Sequence, residues 1–246
     1  MSETPDYLRS VGAWTREQLE LRRETRSLIE ALIRVGPGAV IAEVKRSSPS
    51  QGEIAPDADP ATVAASYAAG GAAAISVLTS GRDFGGSYAD LAAVRAVVDV
   101  PILCKDFFVD VWQVTEARVH GADAILVILA MTDDDLAADL IQAAEDHHMD
   151  ALVEVHDEDE LQRALQLGAV LIGVNARNLR TLEIDREGQS RVLRLVPSGF
   201  LKVAESGIES GAHAAGALAS GADALLVGTA LMKQPELLDT LVRGVG

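Results

Sequence analysis

Cysteine is almost absent: Cys104 stands alone among 246 residues. A single thiol excludes an intrachain disulfide and a thiolate zinc cluster, and it suits a reducing compartment. Aromatic side chains make up only 4% of the chain. Its interior must therefore be filled by Ala, Val, Leu and Ile, the aliphatic composition of a parallel sheet buried on both faces. Basic residues are outnumbered 21 to 37, leaving a formal charge of −16. That balance repels polyphosphate backbones and argues against nucleic-acid binding, so an anionic ligand would need a locally basic pocket. The acidity itself reads most simply as a solubilising surface. No run reaches the roughly 18 apolar residues of a membrane span. The start MSETPDYLRSVGAW has no basic region followed by an apolar core. No membrane association and a cytoplasmic location are expected. The histidines His120, His147, His148, His156 and His213 show no HExxH or related spacing, so no metal is expected.

What is present is a regular succession of short apolar runs. The length suits one barrel-sized domain or two small ones. Arg16 to Arg34 is charged, with Leu19, Leu21, Leu28, Leu32 and Ile33 at helical spacing and Gly36-Pro37-Gly38 closing the segment. Residues 1–38 therefore read as a helical extension that packs on the domain. From Val40 the runs are Val40 to Val44, Ala73 to Leu78, Ile102 to Cys104, Ala124 to Leu129, Ala151 to Val155, Val170 to Val174, Leu201 to Ala204 and Ala224 to Val227. Each is separated from the next by enough Ala/Leu-rich chain for a crossover helix, which parallel pairing requires. Gly71-Ala72-Ala73, Gly121-Ala122-Asp123-Ala124, Gly168-Ala169 and Gly221-Ala222-Asp223-Ala224 form a fragmentary repeat at strand entries, where glycine ends the preceding helix. Eight such units predict an α/β chain closed into a (β/α)8 TIM barrel over residues 39–246. A doubly wound open sheet is the runner-up, but no GxGxxG follows the first strand.

In a barrel the chemistry sits at the C-terminal strand ends. Strand one ends in Glu43-Val44-Lys45, placing Glu43 and Lys45 on one face. Strand three ends in Lys105, strand five in Glu154 with His156 beyond it, strand six in Asn175 and Arg177, and strand seven in Glu205 and Ser206. A charge at one strand end is ordinarily a solvated loop residue. Lys, Glu, Asn or Arg at five of eight ends instead predicts an acid–base site whose groups are tuned by burial and pairing. Ser206-Gly207 after strand seven and Gly228-Thr229 after strand eight are small enough for backbone N–H groups to approach a phosphate, with Lys45 or Ser48 adding charge or a hydroxyl. Phe84 and Phe107, in loops beside strand ends, are candidates for an apolar substrate wall. Trp112 is assigned to packing, and His156 to a supporting or exposed place.

Taken together, the segments IAEVKRSSPSQG, SVLTSGRDFGGS, PILCKDFFVD, LVEVHD, IGVNARNL, VAESGI and LLVGTAL resemble the indole-3-glycerol phosphate synthase family in order and spacing over roughly residues 39–235. The resemblance implies a (β/α)8 barrel of tryptophan biosynthesis. Its reaction closes 1-(2-carboxyphenylamino)-1-deoxyribulose 5-phosphate to indole-3-glycerol phosphate with loss of carbon dioxide and water, needing neither metal nor organic cofactor. It further implies that Lys105 is the general acid at the ribulose carbonyl and Glu154 the acid/base of the later proton transfer and dehydration. Glu43 corresponds to the carboxylate that orients the lysine and substrate hydroxyls, and Asn175 to a hydroxyl-binding amide. Lys45 corresponds to a lysine that contacts substrate anions, with a debated share in acid catalysis. Arg177 matches the arginine near the anthranilate carboxylate, while Glu205 and Ser206 match substrate contacts. Gly207, Gly228 and Thr229 match phosphate binders, with Ser48 nearby. Cys104 and Thr229 depart from the residues frequent in the family at those places, and neither removes a catalytic group.

Related phosphosugar barrel isomerases, such as phosphoribosylanthranilate isomerase or the amino-aldose isomerase of histidine synthesis, call for Cys/Asp or Asp/Asp pairs where this chain has Lys and Glu. A catalytically silent barrel scaffold would not require Glu43, Lys45, Lys105, Glu154 and Asn175 together. The expected partner is a small phosphorylated substrate, with the chain a monomer or weak homodimer.

Overall fold

A computed structural model describes residues 26–244. Helix α1 (Leu28–Val35) precedes strand β1 (Ala39–Val44). There follow α2 (Pro60–Ala69), β2 (Ala74–Leu78), the short α3 (Gly81–Phe84), α4 (Tyr88–Arg95), β3 (Ile102–Lys105), α5 (Trp112–Val119), β4 (Ala124–Ile128), α6 (Asp134–Asp146) and β5 (Asp150–Val155). The chain continues through α7 (Glu158–Gln166), β6 (Leu171–Asn175), α8 (Arg186–Leu195), β7 (Leu201–Glu205), α9 (Gly211–Ala219), β8 (Ala224–Val227), α10 (Thr229–Lys233) and α11 (Leu237–Val242). Strands β1 to β8 are parallel and close into a barrel, β8 returning to β1 in the register Ala39↔Ala224 to Ala42↔Val227, while Ser47–Ser48 and Gly52–Glu53 pair antiparallel in the loop after β1. Every apolar run marked in the sequence coincides with a strand to within one residue at either end.

The recurrent strand entries have a backbone cause. Gly71, Gly121, Gly168 and Gly221 all adopt positive φ where a helix turns into a strand, the left-handed region that disfavours a side chain. The aspartates of the repeat then tie neighbouring strands together. Asp123 Oδ2 accepts from the Ile102 N–H at 3.0 Å and from the Arg95 guanidinium at 2.7 Å, and Asp223 Oδ2 accepts from the Lys202 N–H at 2.9 Å.

Strand alternation sorts the aliphatic residues into two cores. Outward residues such as Val40, Ile75, Cys104, Ile125, Val153, Ile172 and Leu225 pack under the helices. Inward residues fill the barrel itself, and β1, β3, β5 and β7 supply Ile41, Leu103, Leu152 and Val203 to a common interior layer. Two residues further along those same strands, the inward positions are Glu43, Lys105, Glu154 and Glu205. The top layer of an otherwise aliphatic core is therefore three carboxylates and one ammonium.

Helix α1 closes the opposite end. Leu28 and Leu32 enter the interior core, whereas Ile33, about a third of a turn round the helix, is 62% exposed. Leu19 and Leu21 of the expected stripe lie outside the described residues. The helix start is held by Asp150 at the foot of β5, whose Oδ2 accepts from Ser27 Oγ at 2.9 Å and from the Ile29 N–H at 3.0 Å. Asp150→Ala is expected to lower stability by about 1–2 kcal/mol, the usual worth of a helix-capping carboxylate. The urea midpoint should fall at constant slope with the reaction rate unaffected, because the floor lies at the far end of the barrel from the strand ends. Trp112 corrects its sequence assignment: it opens α5 on the surface at 63% exposure and is not packed in the core.

Candidate active site

A cavity of about 380 Å³ opens at the C-terminal strand ends. Glu43, Lys45, Ser48, Phe84, Lys105, Phe107, Glu154, Asn175, Arg177, Ser206, Gly207, Gly228 and Thr229 all line it. Of the strand-end residues marked in the sequence, His156 and Glu205 stand apart from the wall. Glu205 is fully buried behind Lys105, whose Nζ donates to Glu205 Oε2 at 2.6 Å and lies 3.6 Å from Glu154 Oε2. It shares its layer with Glu43, Lys105 and Glu154, but its carboxylate is turned to the Lys105 ammonium and not to the cavity.

The floor of the cavity thus has two charge groupings. Lys45 Nζ stands 2.7 Å from Glu43 Oε1, giving that carboxylate its own cation. Burial works against charge on Glu43, but Lys45 and Lys105 outweigh it and hold the carboxyl below its ordinary value. Glu154 and Glu205, in contrast, share the single ammonium of Lys105. Burial would strip Lys105 of its proton, yet Glu205, Glu154 and Glu43 reverse that and keep it charged beyond the usual lysine range. For Glu205 burial dominates: Lys105 opposes it, Glu154 reinforces it, and the carboxyl is pushed up to about 7. Glu205 therefore holds a proton close to neutrality, as a buried carboxyl beside a second carboxylate does.

Two glycines make room for these carboxylates. A Cβ at Gly173, the inward residue of β6 beside Glu154 and Val203, would lie 2.0 Å from Glu205 Oε1. At Gly228 it would lie 2.3 Å from Glu43 Oε1. Gly173 was missed in the sequence, although its signal was there: a glycine at an inward strand position marks close approach by another group. Gln189, on α8, was also missed. Its buried Nε2 donates at 2.8 Å to both Val174 O and Glu205 O, tying the ends of β6 and β7 together.

Around the rim, Asn175 Oδ1 accepts from the Arg177 N–H at 2.9 Å, and the Arg177 guanidinium donates to Leu182 O at 2.7 Å. Ser206 and Gly207 both have positive φ, 63° and 74°, bending the chain sharply after β7. Gly228 caps the short helix α10, and Ser48 is buried with its Oγ unpartnered. Across the mouth, Phe84 and Phe107 stand 6.1 Å apart between ring centroids, with Lys45 Nζ 5.9 Å from the Phe84 ring. The cations Lys45, Lys105 and Arg177 line the cavity alongside the carboxylates Glu43, Asp106, Glu154 and Glu209, so the cavity as a whole is not the basic pocket expected from the acidic composition. His156 follows the end of β5, with Nε2 3.4 Å from Glu154 Oε1. Among the described residues, no group of three or more His, Cys, Asp or Glu is arranged to hold a metal ion.

A closed (β/α)8 barrel with lysines, carboxylates and small-residue turns gathered around a cavity at its C-terminal rim has the form of a barrel enzyme. The profile of the indole-3-glycerol phosphate synthase family matches residues 8–243, and the chain belongs to that family. Relatives bearing that family name include one from Beutenbergia cavernae, 50% identical over 90% of this chain and 82% of the relative. Another, from a Nocardioides species, is 57% identical over 81% of this chain and 77% of the relative. Among solved structures, a thiamine phosphate pyrophosphorylase from Pyrococcus furiosus superposes with a TM-score of 0.64 at 18% identity. It covers 84% of this chain and 96% of the other and is a likeness of fold.

Proposed function

We propose that this chain converts 1-(2-carboxyphenylamino)-1-deoxyribulose 5-phosphate to indole-3-glycerol phosphate, carbon dioxide and water in tryptophan biosynthesis, with the charged layer under the cavity as its acid–base machinery. The observation that carries the reading is the Lys105 ammonium, held between Glu154 and Glu205 and exposed on one side to the cavity. Such an ammonium stabilises the alkoxide that develops when the aromatic carbon attacks the ribulose ketone, and it supplies that oxygen with a proton. Its cage keeps it charged, and it gives up the proton because the alkoxide is the stronger base. Loss of the carboxylate from the attacking ring carbon releases carbon dioxide. Glu154 then serves the proton transfers by which the new hydroxyl leaves as water and the indole becomes aromatic.

The remaining walls supply binding. The substrate phosphate is assigned to the Ser206-Gly207 and Gly228-Thr229 turns with Ser48, where backbone N–H groups and a hydroxyl are available to an anion. Phe84 and Phe107 flank the aromatic ring, Arg177 and Lys45 face its carboxylate, and Asn175 and Glu43 take the sugar hydroxyls. Glu205 is assigned to holding Lys105. A cytoplasmic setting accompanies the reading, supported by the single buried thiol of Cys104.

The purified chain, with no metal added, is expected to generate indole fluorescence from the carboxyphenylamino substrate. An inactive wild-type protein would overturn the assignment.

A further inference from the structure

The sequence left His156 in a supporting or exposed place, yet its imidazole is mostly buried, held at Nδ1 and faced by a carboxylate at Nε2. Glu160, in the first turn of α7, accepts with Oε2 from the His156 main-chain N–H at 2.8 Å and faces Nδ1 at 3.0 Å. On the other side of the ring, Nε2 faces Glu154 Oε1 at 3.4 Å. Both of these buried atoms lack a hydrogen-bond partner, so each is left facing the other. Glu154 Oε2 points the other way, toward Lys105. The result is a line running from Glu160 through His156 and Glu154 to Lys105.

We propose that His156 is a positioning residue for Glu154: anchored at Nδ1 by Glu160, it shares one proton between its Nε2 and Glu154 Oε1 and so sets the protonation state of that carboxyl. The chemistry follows from the donors available. A carboxylate at Nδ1 holds a proton there, so a neutral imidazole offers Nε2 only as an acceptor. That form matches a protonated Glu154, whose O–H donates to it. When the proton crosses from Oε1 to Nε2, the ring becomes an imidazolium donating to both Glu160 and a Glu154 carboxylate. The two states differ only in the place of one proton, and nothing else is consumed. The inference rests on Glu154 being the acid/base of the reaction.

The charges facing the ring come from three elements: Glu154 on β5, Glu160 on α7 and Glu205 on β7. Burial disfavours the imidazolium, but Glu160, Glu154 and Glu205 outweigh it and raise the pKa above the ordinary 6.5. A cation beside Glu154 favours its carboxylate. Removing it therefore takes that support away from the carboxylate form.

The test combines NMR titration of the His156 ring with kcat and KM against pH. In the wild type the ring should titrate above its ordinary value, moving down by about one unit in both Glu160→Gln and Glu154→Gln as a favourable charge is removed. In His156→Gln, and likewise in His156→Asn, the acid limb of kcat should move up by about one unit, a roughly tenfold loss on that limb, with KM changed less than about twofold. A ring pKa unmoved by Glu154→Gln would overturn the proposal. So would a kcat profile in both His156 variants that is merely scaled down with its limbs unshifted, the mark of a packing role. Should the wild type fail to turn over the carboxyphenylamino substrate, the functional reading falls while the ring titration still decides whether the proton is shared.

Discussion

Replacing Lys105 by methionine should lower kcat by about 10³-fold or more, the combined loss of a general acid and of the charge that stabilises the developing alkoxide. The substitution nearly preserves side-chain length, so the cavity keeps its shape and KM should change far less than kcat. It also leaves Glu154 and Glu205 without the ammonium they share. Glu205 is held up to about 7 even with that ammonium present. Without it, the folded-state pKa rises further above the unfolded value. A carboxyl raised in this way contributes stability that is fully present below its unfolded pKa and lost as pH rises through the folded one. The variant should therefore be nearly as stable as the wild type below the ordinary carboxylate range. Its deficit should grow through neutrality toward the roughly 3–5 kcal/mol of a broken buried ion pair. Activity is best compared near pH 6, where both proteins are folded. Lys105→Arg keeps the cation and should recover stability but little rate, since a guanidinium is a poor proton donor. A methionine variant that turns over at the wild-type rate would remove Lys105 from the mechanism.

Gly173→Ala is expected to cost about 10²-fold in kcat, although Gly173 carries no functional group. The added Cβ would meet Glu205 Oε1 at 2.0 Å and Leu152 Cδ1 at 3.2 Å. Strand β6 is paired on both sides, with Gly173 opposite Glu154 on β5 and Val203 on β7, so the backbone has no room to retreat. Glu205 must swing away, breaking its 2.6 Å bond to Lys105 and letting the ammonium wander. A displacement of about an ångström in a catalytic group is enough for a loss of this size. Overpacking should also lower stability by about 1–3 kcal/mol. The double variant Gly173→Ala with Glu205→Ala separates the causes, because removing the obstructing carboxylate should restore most of the stability but not the rate. A Gly173→Ala enzyme with wild-type kcat would show that Glu205 does not hold the lysine.

His156 shows why strand alternation alone was insufficient at one end of the site. It was legible as a histidine two residues beyond Glu154, but the regular strand stops at Val155, so the pattern could not say which way the ring turned. Glu160, in the first turn of α7, decides that direction by binding both the main-chain N–H and Nδ1. Trp112 failed for a similar reason: an aromatic at the start of α5 has no periodic signal to distinguish packed from exposed.

The sequence by itself determined the eight strands, their closure into a barrel and the chemical types at the rim. Those properties follow from local alternation of aliphatic residues, from glycines that permit positive φ at strand entries, and from the polar residues that end each run. Only the tertiary structure decided how those rim groups divide the charge. Lys45 went to Glu43, while Lys105 was left to Glu154 and Glu205. That division depends on which inward side chains of β1, β3, β5 and β7 meet across the barrel, and on whether the strands between them offer a glycine. Gly173 and Gly228 leave the space into which Glu205 and Glu43 extend. Such room is a property of residues far apart in the chain, so it exists only once the barrel has closed.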